Sequence, residues 1–180
     1  MGTPPTPSPN MTIRPAAVAD APYIHAALLG IARTVNELDK VRCEVADLID
    51  YGFGPAPHFE AVISEVDGEY AGMCLFFPSF STWLGRPGVY IQDLYVEDRF
   101  RGLGIGAKLL RRVAAIVRDR GGVYMRLSVD TENFIAQGFY TRLELKLSDT
   151  EQVHAAYDDA FLNLAAADCP PGGTLLKEPQ

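Results

Sequence analysis

The chain has 180 residues, 48% of them hydrophobic, 10% aromatic and 22% charged, the size of one domain with enough apolar material for a substantial core. A formal net charge of −7 argues against general nucleic-acid binding, which needs a positive surface to displace counterions. No apolar run approaches the roughly 20 residues that cross a bilayer, and no basic, apolar and small-residue export pattern follows Met1, so a cytoplasmic protein is expected, with no membrane partner. Cys43, Cys74 and Cys169 are odd in number and lack metal-type spacing with His25, His58 or His154, so they read as free thiols and no metal is expected.

In chain order, residues 1–10 are almost entirely Pro, Ser, Thr and Gly and read as a disordered tail. Residues 11–166 read as a single domain, and 167–180, with Pro170-Pro171-Gly172-Gly173, as a second loose tail. A short strand is expected over 12–14. Ile24, Ala27, Leu28, Ile31 and Val35 recur at helical spacing and predict a helix over 20–36, followed by a shorter one over 43–51 that Gly52-Phe53-Gly54-Pro55 ends. Strands are expected over 60–66, 70–77 and 89–96, the first two joined by Asp67-Gly68, a strong signal for a two-residue hairpin turn. Ile105, Leu109, Val113, Ile116 and Val117 form one apolar stripe, which predicts a helix over 104–118 ending before Gly121-Gly122. A buried strand over 123–129 and a short helix over 133–142, capped by Asn133, come next. A further strand, with or without a helix, is expected between Leu143 and Ala166. This order predicts an α+β fold, a mixed and mostly antiparallel central sheet flanked by helices, with no internal repeat.

The segment richest in chemical information is Arg101-Gly102-Leu103-Gly104-Ile105-Gly106. Between a strand and a helix, its glycines free backbone N–H groups to converge on an anion at a positive helix end, which describes a phosphate-binding turn. From Asp98 to Arg120 seven basic residues (Arg99, Arg101, Lys108, Arg111, Arg112, Arg118 and Arg120) stand against two acidic ones, a cationic pole on an acidic chain. Dinucleotide binding competes, because Gly102-x-Gly104-x-x-Ala107 fits the loose fingerprint and Asp130 ends the next predicted strand. Against that reading, Glu97-Asp98-Arg99-Phe100-Arg101 separates strand from glycines, and hairpin signals precede it.

The run Val89-Tyr90-Ile91-Gln92-Asp93-Leu94-Tyr95-Val96, then four residues, then Arg101-x-x-Gly104-x-Gly106, resembles the acetyl-CoA signature of the GNAT superfamily of N-acetyltransferases. Asn133 with Phe139-Tyr140 is similar to that superfamily's asparagine and Phe-Tyr pair near the thiol end of the cofactor. Tyr51-Gly52-Phe53-Gly54, the hairpin and Phe80-Ser81-Thr82-Trp83-Leu84-Gly85 resemble the diamine (spermidine/spermine) and thialysine acetyltransferase branch. The similarity runs from about Ile13 to Leu143, after which the family usually has a glycine where this chain has Glu144.

The resemblance implies an acetyl-CoA-dependent N-acetyltransferase, homodimeric, acting on the primary amine of a small cationic molecule such as a polyamine or lysine-like amino acid. Transfer to an aminoglycoside, a protein N-terminus or a lysine side chain, and a CoA-binding module with weak catalysis, are the alternatives. It further implies a β-bulge in the strand of Leu94 and Val96, whose backbones grip the pantetheine arm and polarise the thioester carbonyl. Arg101, Gly102, Leu103, Gly104, Ile105 and Gly106 would cradle the phosphates, with Asn133 and Tyr140 at the thiol and Tyr140 as general acid. Seven helical residues make nearly two turns, which puts Asn133 and Tyr140 on one face; a plain helix cap is the other reading of Asn133.

Gln92 stands where the branch has a glutamate base, and an amide has no useful basicity, so the base is unassigned. Asp93 either holds the cationic substrate, relays its proton or is a structural acceptor. In an undistorted strand its side chain lies on the face opposite that of Gln92. Trp83 reads equally as an aromatic wall for the amine or as core, and Glu37 and Asp39 as entrance contacts or solvated charges.

Overall fold

The computed structural model describes residues 9–166, and chain contacts divide it after Glu144 into two units, taken separately here. Most of both predicted tails, and Cys169, lie outside the described residues.

The first unit is built on a five-stranded sheet in the order β1 (Met11–Pro15), β2 (Glu60–Val66), β3 (Glu69–Ser81), β4 (Arg86–Val96) and β5 (Met125–Leu127). Every neighbouring pair is antiparallel except β4 and β5. Asp67 and Gly68 both take positive φ (52° and 83°), as a tight turn between twisted strands requires. Ile63, Met73 and Leu75 meet Ala21, Ile24 and Ala27 of α1 (Ala21–Thr34) and Leu48 of α2 (Val45–Phe53) on one face. On the other, Val62, Cys74, Phe76, Val89 and Ile91 meet Leu109, Leu110, Val113 and Val117 of α3 (Ile105–Asp119). Phe139 and Tyr140 of α4 (Phe134–Arg142) pack against that second cluster. The stripe predicted for α3 is therefore the side it buries. Arg14 fastens β1 to the start of α1 through a two-pronged contact with Asp20 (2.7 and 2.9 Å), and burial and this guanidinium oppose each other at Asp20, whose carboxyl lies below its ordinary range because the hydrogen bond prevails.

Three departures from the sequence reading have physical causes. β3 and β4 run on as a two-stranded ribbon past Pro78 and Pro87, because β2 ends at Glu60 opposite Phe76 and leaves an edge that tolerates proline. β5 is three residues long and not seven, since its ladder with β4 stops at Ile91 paired with Leu127. In the second unit, no strand occurs among the described residues; α5 (Asp158–Ala166) is its one regular element there, and a strand without a neighbour has nothing to pair with. Just before that division Glu144 adopts φ 65°, the left-handed position after α4 where a glycine sits without strain.

Candidate active site

The site begins with a defect in β4. Leu75 pairs with Asp93 but Phe76 pairs with Ile91, so Gln92 is an extra residue, a β-bulge two positions earlier than Leu94. Before it Val89 and Ile91 face the α3 core, and after it Leu94 and Val96 do. Asp93 instead pairs with Leu75 and Tyr95 with Met73, both of the α1 and α2 face. The alternation that sets Gln92 and Asp93 on opposite faces fails across an inserted residue. The β4–β5 ladder ends at the same place, so from Gln92 to Val96 the strand has a neighbour only on its β3 side. Its other edge offers backbone donors and acceptors to an extended ligand, as a sheet edge does.

Beyond Val96 the chain makes one 3₁₀ turn and enters the glycine segment. Gly102 and Gly104 take φ 82° and 75°, values that cost an L-residue about 1–2 kcal/mol, and Gly104 is the residue from which α3 starts. The N–H groups of Ile105, Gly106 and Ala107 have no helical acceptor ahead of them; Lys108 is the first to bond back, to the Gly104 carbonyl at 3.1 Å. Gly106 serves a different need: a Cβ there would lie 3.2 Å from the Phe139 ring, so its absence lets α4 close over the first turn of α3. Leu103 is exposed and Ile105 buried, which pins the turn to the core at one end only. Arg101 folds back on β4, donating to the Val96 carbonyl at 3.2 Å and pairing with Asp98 at 2.8 Å. It braces the turn from behind. Arg99, Arg118 and Arg120 are also paired, with Glu69, Asp119 and Glu60, whereas Lys108, Arg111 and Arg112 of α3 have no acidic partner among the described residues.

Asp93 and Tyr140 lie far apart in sequence and on different elements: Asp93 pairs with Leu75 of the α1 and α2 face, and Tyr140 packs against the α3 cluster. Asp93 is partly buried and makes no hydrogen bond or ion pair with any described residue, and burial raises its carboxyl to about 6. Burial above all pushes the Tyr140 phenol up to about 12, with the Asp93 carboxylate adding to the rise, so it keeps its proton across the physiological range. Cys74 on β3 is fully buried beside them and held as the thiol by burial and by Asp93. Cys43, between α1 and α2, is raised first by burial and then by the negative charges of Asp47, Asp93 and Glu44. His25 Nε2 donates to the Cys43 carbonyl at 2.9 Å and ties that connection to α1. Cys74 packs in the α3 cluster and Cys43 against the α1 and α2 cluster, on opposite faces of the sheet, a placement that their spacing of 31 residues does not signal.

Asn133 is the N-cap of α4, its Oδ1 accepting from Ala136 N at 3.0 Å. With ψ 68° it lies outside the helical phase, so the seven-residue argument that it shares a face with Tyr140 does not apply. Asp130 accepts from Glu132 N at 2.7 Å within its own turn, and the largely antiparallel sheet removes the dinucleotide-binding reading. Trp83 is 98% exposed at the tip of the β3–β4 ribbon and is not core. Glu37 pairs with Lys40 at 2.5 Å on the surface, and Asp39 is exposed. Among the described residues no group of His, Cys, Asp and Glu is arranged to hold a metal ion, and no helix is long and apolar enough to cross a membrane.

A bulged and one-sidedly open strand leading into a glycine turn and a helix matches the acetyltransferase (GNAT) family over residues 28–144. The chain belongs to this family. It is a GNAT N-acetyltransferase, 32% identical over 151 residues to a thialysine N-epsilon-acetyltransferase of Bos taurus, covering 79% of this chain and 88% of that one. It is also 32% identical over 150 residues to a spermidine/spermine N(1)-acetyltransferase-like protein 1 of Homo sapiens, covering 79% of this chain and 21% of that longer protein. The GNAT fold recurs in an aminoglycoside N-acetyltransferase solved in complex with CoA, with TM-score 0.65 and 18% identity over 85% of this chain and 97% of that one.

Proposed function

We propose that this enzyme transfers the acetyl group of acetyl-CoA to the primary amine of a small cationic molecule, a polyamine or a lysine-like amino acid. One observation carries the reading: β4 is open on one edge from Gln92 to Val96 and leads directly into the glycine turn that starts α3. The helix end and the N–H groups around Gly102, Leu103, Gly104, Ile105 and Gly106 suit a pyrophosphate. Leu94 and Val96 offer backbone groups to the pantetheine arm, and a β4 amide polarises the thioester carbonyl as negative charge develops on its oxygen. The carboxylates of Asp93, Asp47 and Glu44 favour a cationic amine over a neutral or anionic one. The thialysine and spermidine/spermine relatives support the same class of substrate, and the family resemblance supports a cytoplasmic homodimer.

Tyr140 is the proton donor to the departing sulfur. A phenol at about 12 facing a thiolate whose acid form ionises near 8.5 gives up its proton at a cost of roughly 5 kcal/mol if nothing else changes. Hydrogen bonding from the phenol to the sulfur as the C–S bond stretches is therefore its first contribution, with full transfer late. Asn133, with its Oδ1 spent on the cap, has only its NH₂ group to offer the cofactor. Thiol release from acetyl-CoA over a panel of spermidine, lysine, thialysine, glycine, an aminoglycoside and an N-terminal peptide tests this reading. Turnover of spermidine, lysine or thialysine is expected; turnover of only the aminoglycoside or the peptide would transfer the enzyme to the other amine class. CoA binding without thiol release from any amine would reduce it to a binding module.

A further inference from the structure

We infer that the amine acceptor carries a carboxylate at the end away from the reacting nitrogen, as a lysine-like amino acid does and a polyamine does not, and that Arg126 of β5 binds that carboxylate. The inference rests on the acetyl-transfer reading above and narrows its substrate class. Val89 and Ile91 of β4, and Met125 and Leu127 of β5, all pack into or against the α3 cluster. Strand alternation therefore turns Tyr90, Arg126 and Ser128 to the opposite face of the sheet. The Tyr90 hydroxyl donates to Ser128 Oγ at 2.8 Å, as residues sharing a face can. The parallel register sets Arg126 directly beside Tyr90 on the neighbouring strand. Phe77 of β3 stacks on Tyr90 with ring centroids 5.2 Å apart. Among the described residues neither ring belongs to the α3 cluster or to the α1 and α2 cluster; both are half-buried, and Arg126 is exposed.

The bulge at Gln92 restores Asp93 to this same side of the sheet, where it pairs with Leu75 of the α1 and α2 face. One face thus carries an acid on the open stretch of β4, an aromatic pair next along the strand, and a cation on β5. A ligand complementary to that order has an ammonium, a run of methylenes and an anion. With strands about 4.8 Å apart and about 3.3 Å of rise per residue, the Cα atoms of Arg126 and Asp93 are roughly 11 Å apart. Both side chains reach inward over that span, and the methylenes of a lysine bridge what is left. A guanidinium is the cation suited to the far end, because its planar fork binds both oxygens of a carboxylate. A polyamine would instead bring a second ammonium against Arg126, and like charges oppose binding. The glycine turn at the start of α3 belongs to the other face, which separates Arg126 from the phosphate-binding end of the site.

The test measures kcat and KM at saturating acetyl-CoA with L-lysine, lysinamide, cadaverine and spermidine, for wild type, Arg126→Ala, Arg126→Lys and Arg126→Glu. Wild type is expected to favour lysine over lysinamide and cadaverine by about 10-fold or more in kcat/KM, since only lysine has the carboxylate. In Arg126→Ala the ratio of kcat/KM for lysine to that for cadaverine should fall about 10–100-fold. The loss should appear mainly in KM for lysine, because a contact remote from the reacting nitrogen adds to binding more than to the chemical step. Arg126→Lys keeps the charge without the fork and should retain part of the preference. Arg126→Glu should reverse it by raising kcat/KM for cadaverine and spermidine, a gain that misfolding cannot produce. A wild type that prefers cadaverine or spermidine to lysine, or an Arg126→Ala enzyme with the wild-type ratio of lysine to cadaverine, would overturn the inference and leave acetyl transfer intact. A wild type that binds CoA but acetylates no amine would overturn the transfer reading itself, and this proposal with it.

Discussion

Residues 101–106 present backbone N–H groups, held by two glycines at positive φ and the start of a 15-residue helix; Asp93 and Tyr140 present side chains from two separate elements, the first of them placed by one inserted residue in β4. The first is a local structure that depends on its own glycines and on the start of α3. The second draws on β4 and α4, and a slip of one residue in register would move Asp93 to the other face of the sheet. The difference assigns separate work to the two ends: the turn should govern affinity for the cofactor, and the carboxyl–phenol pair should govern turnover.

Substitutions that separate those quantities test the division. The larger effect is expected from Tyr140→Phe, which removes the proposed proton donor and leaves the ring that packs on the α3 core: kcat should fall about 10²–10³-fold with CoA affinity little changed. Because the phenol is pushed up to about 12, the wild-type kcat should show no alkaline loss from this group below about pH 11, and steady-state rates from pH 7 to 10.5 check that. A smaller effect is expected from Gly104→Val, which forces a β-branched residue to φ 75°. If the turn opens to relieve about 1–2 kcal/mol of strain, KM for acetyl-CoA rises about 10-fold before turnover suffers. A Tyr140→Phe enzyme that binds CoA poorly but turns over normally, or a Gly104→Val enzyme with the reverse, would erase the distinction.

The same division explains what could be read from the sequence. The strands over 60–66, the hairpin at Asp67-Gly68, the amphipathic α3 and the glycine turn all depend on residues within one or two turns of each other, and each appears where its residues predicted it. The length of β5 was not legible because it is set by where β4 departs, not by Val123 to Val129. Nor was the packing of Tyr140 from α4 into the cluster of Cys74 from β3, which two separate elements bring together. The family resemblance implied a bulge in the strand, but its position at Gln92 emerges only from the pairing of Leu75 with Asp93 and Phe76 with Ile91.

The central claim is that the turn and the open strand edge form a CoA site and not a dinucleotide site. Thermal unfolding with increasing CoA, and separately with NAD, tests it most directly. At about 100 times its dissociation constant a ligand of the native state adds roughly 2.7 kcal/mol, which for a chain of this length raises Tm by about 5–10 °C. The account predicts a rise of that size with CoA and none with NAD; stabilisation by NAD without stabilisation by CoA would contradict it.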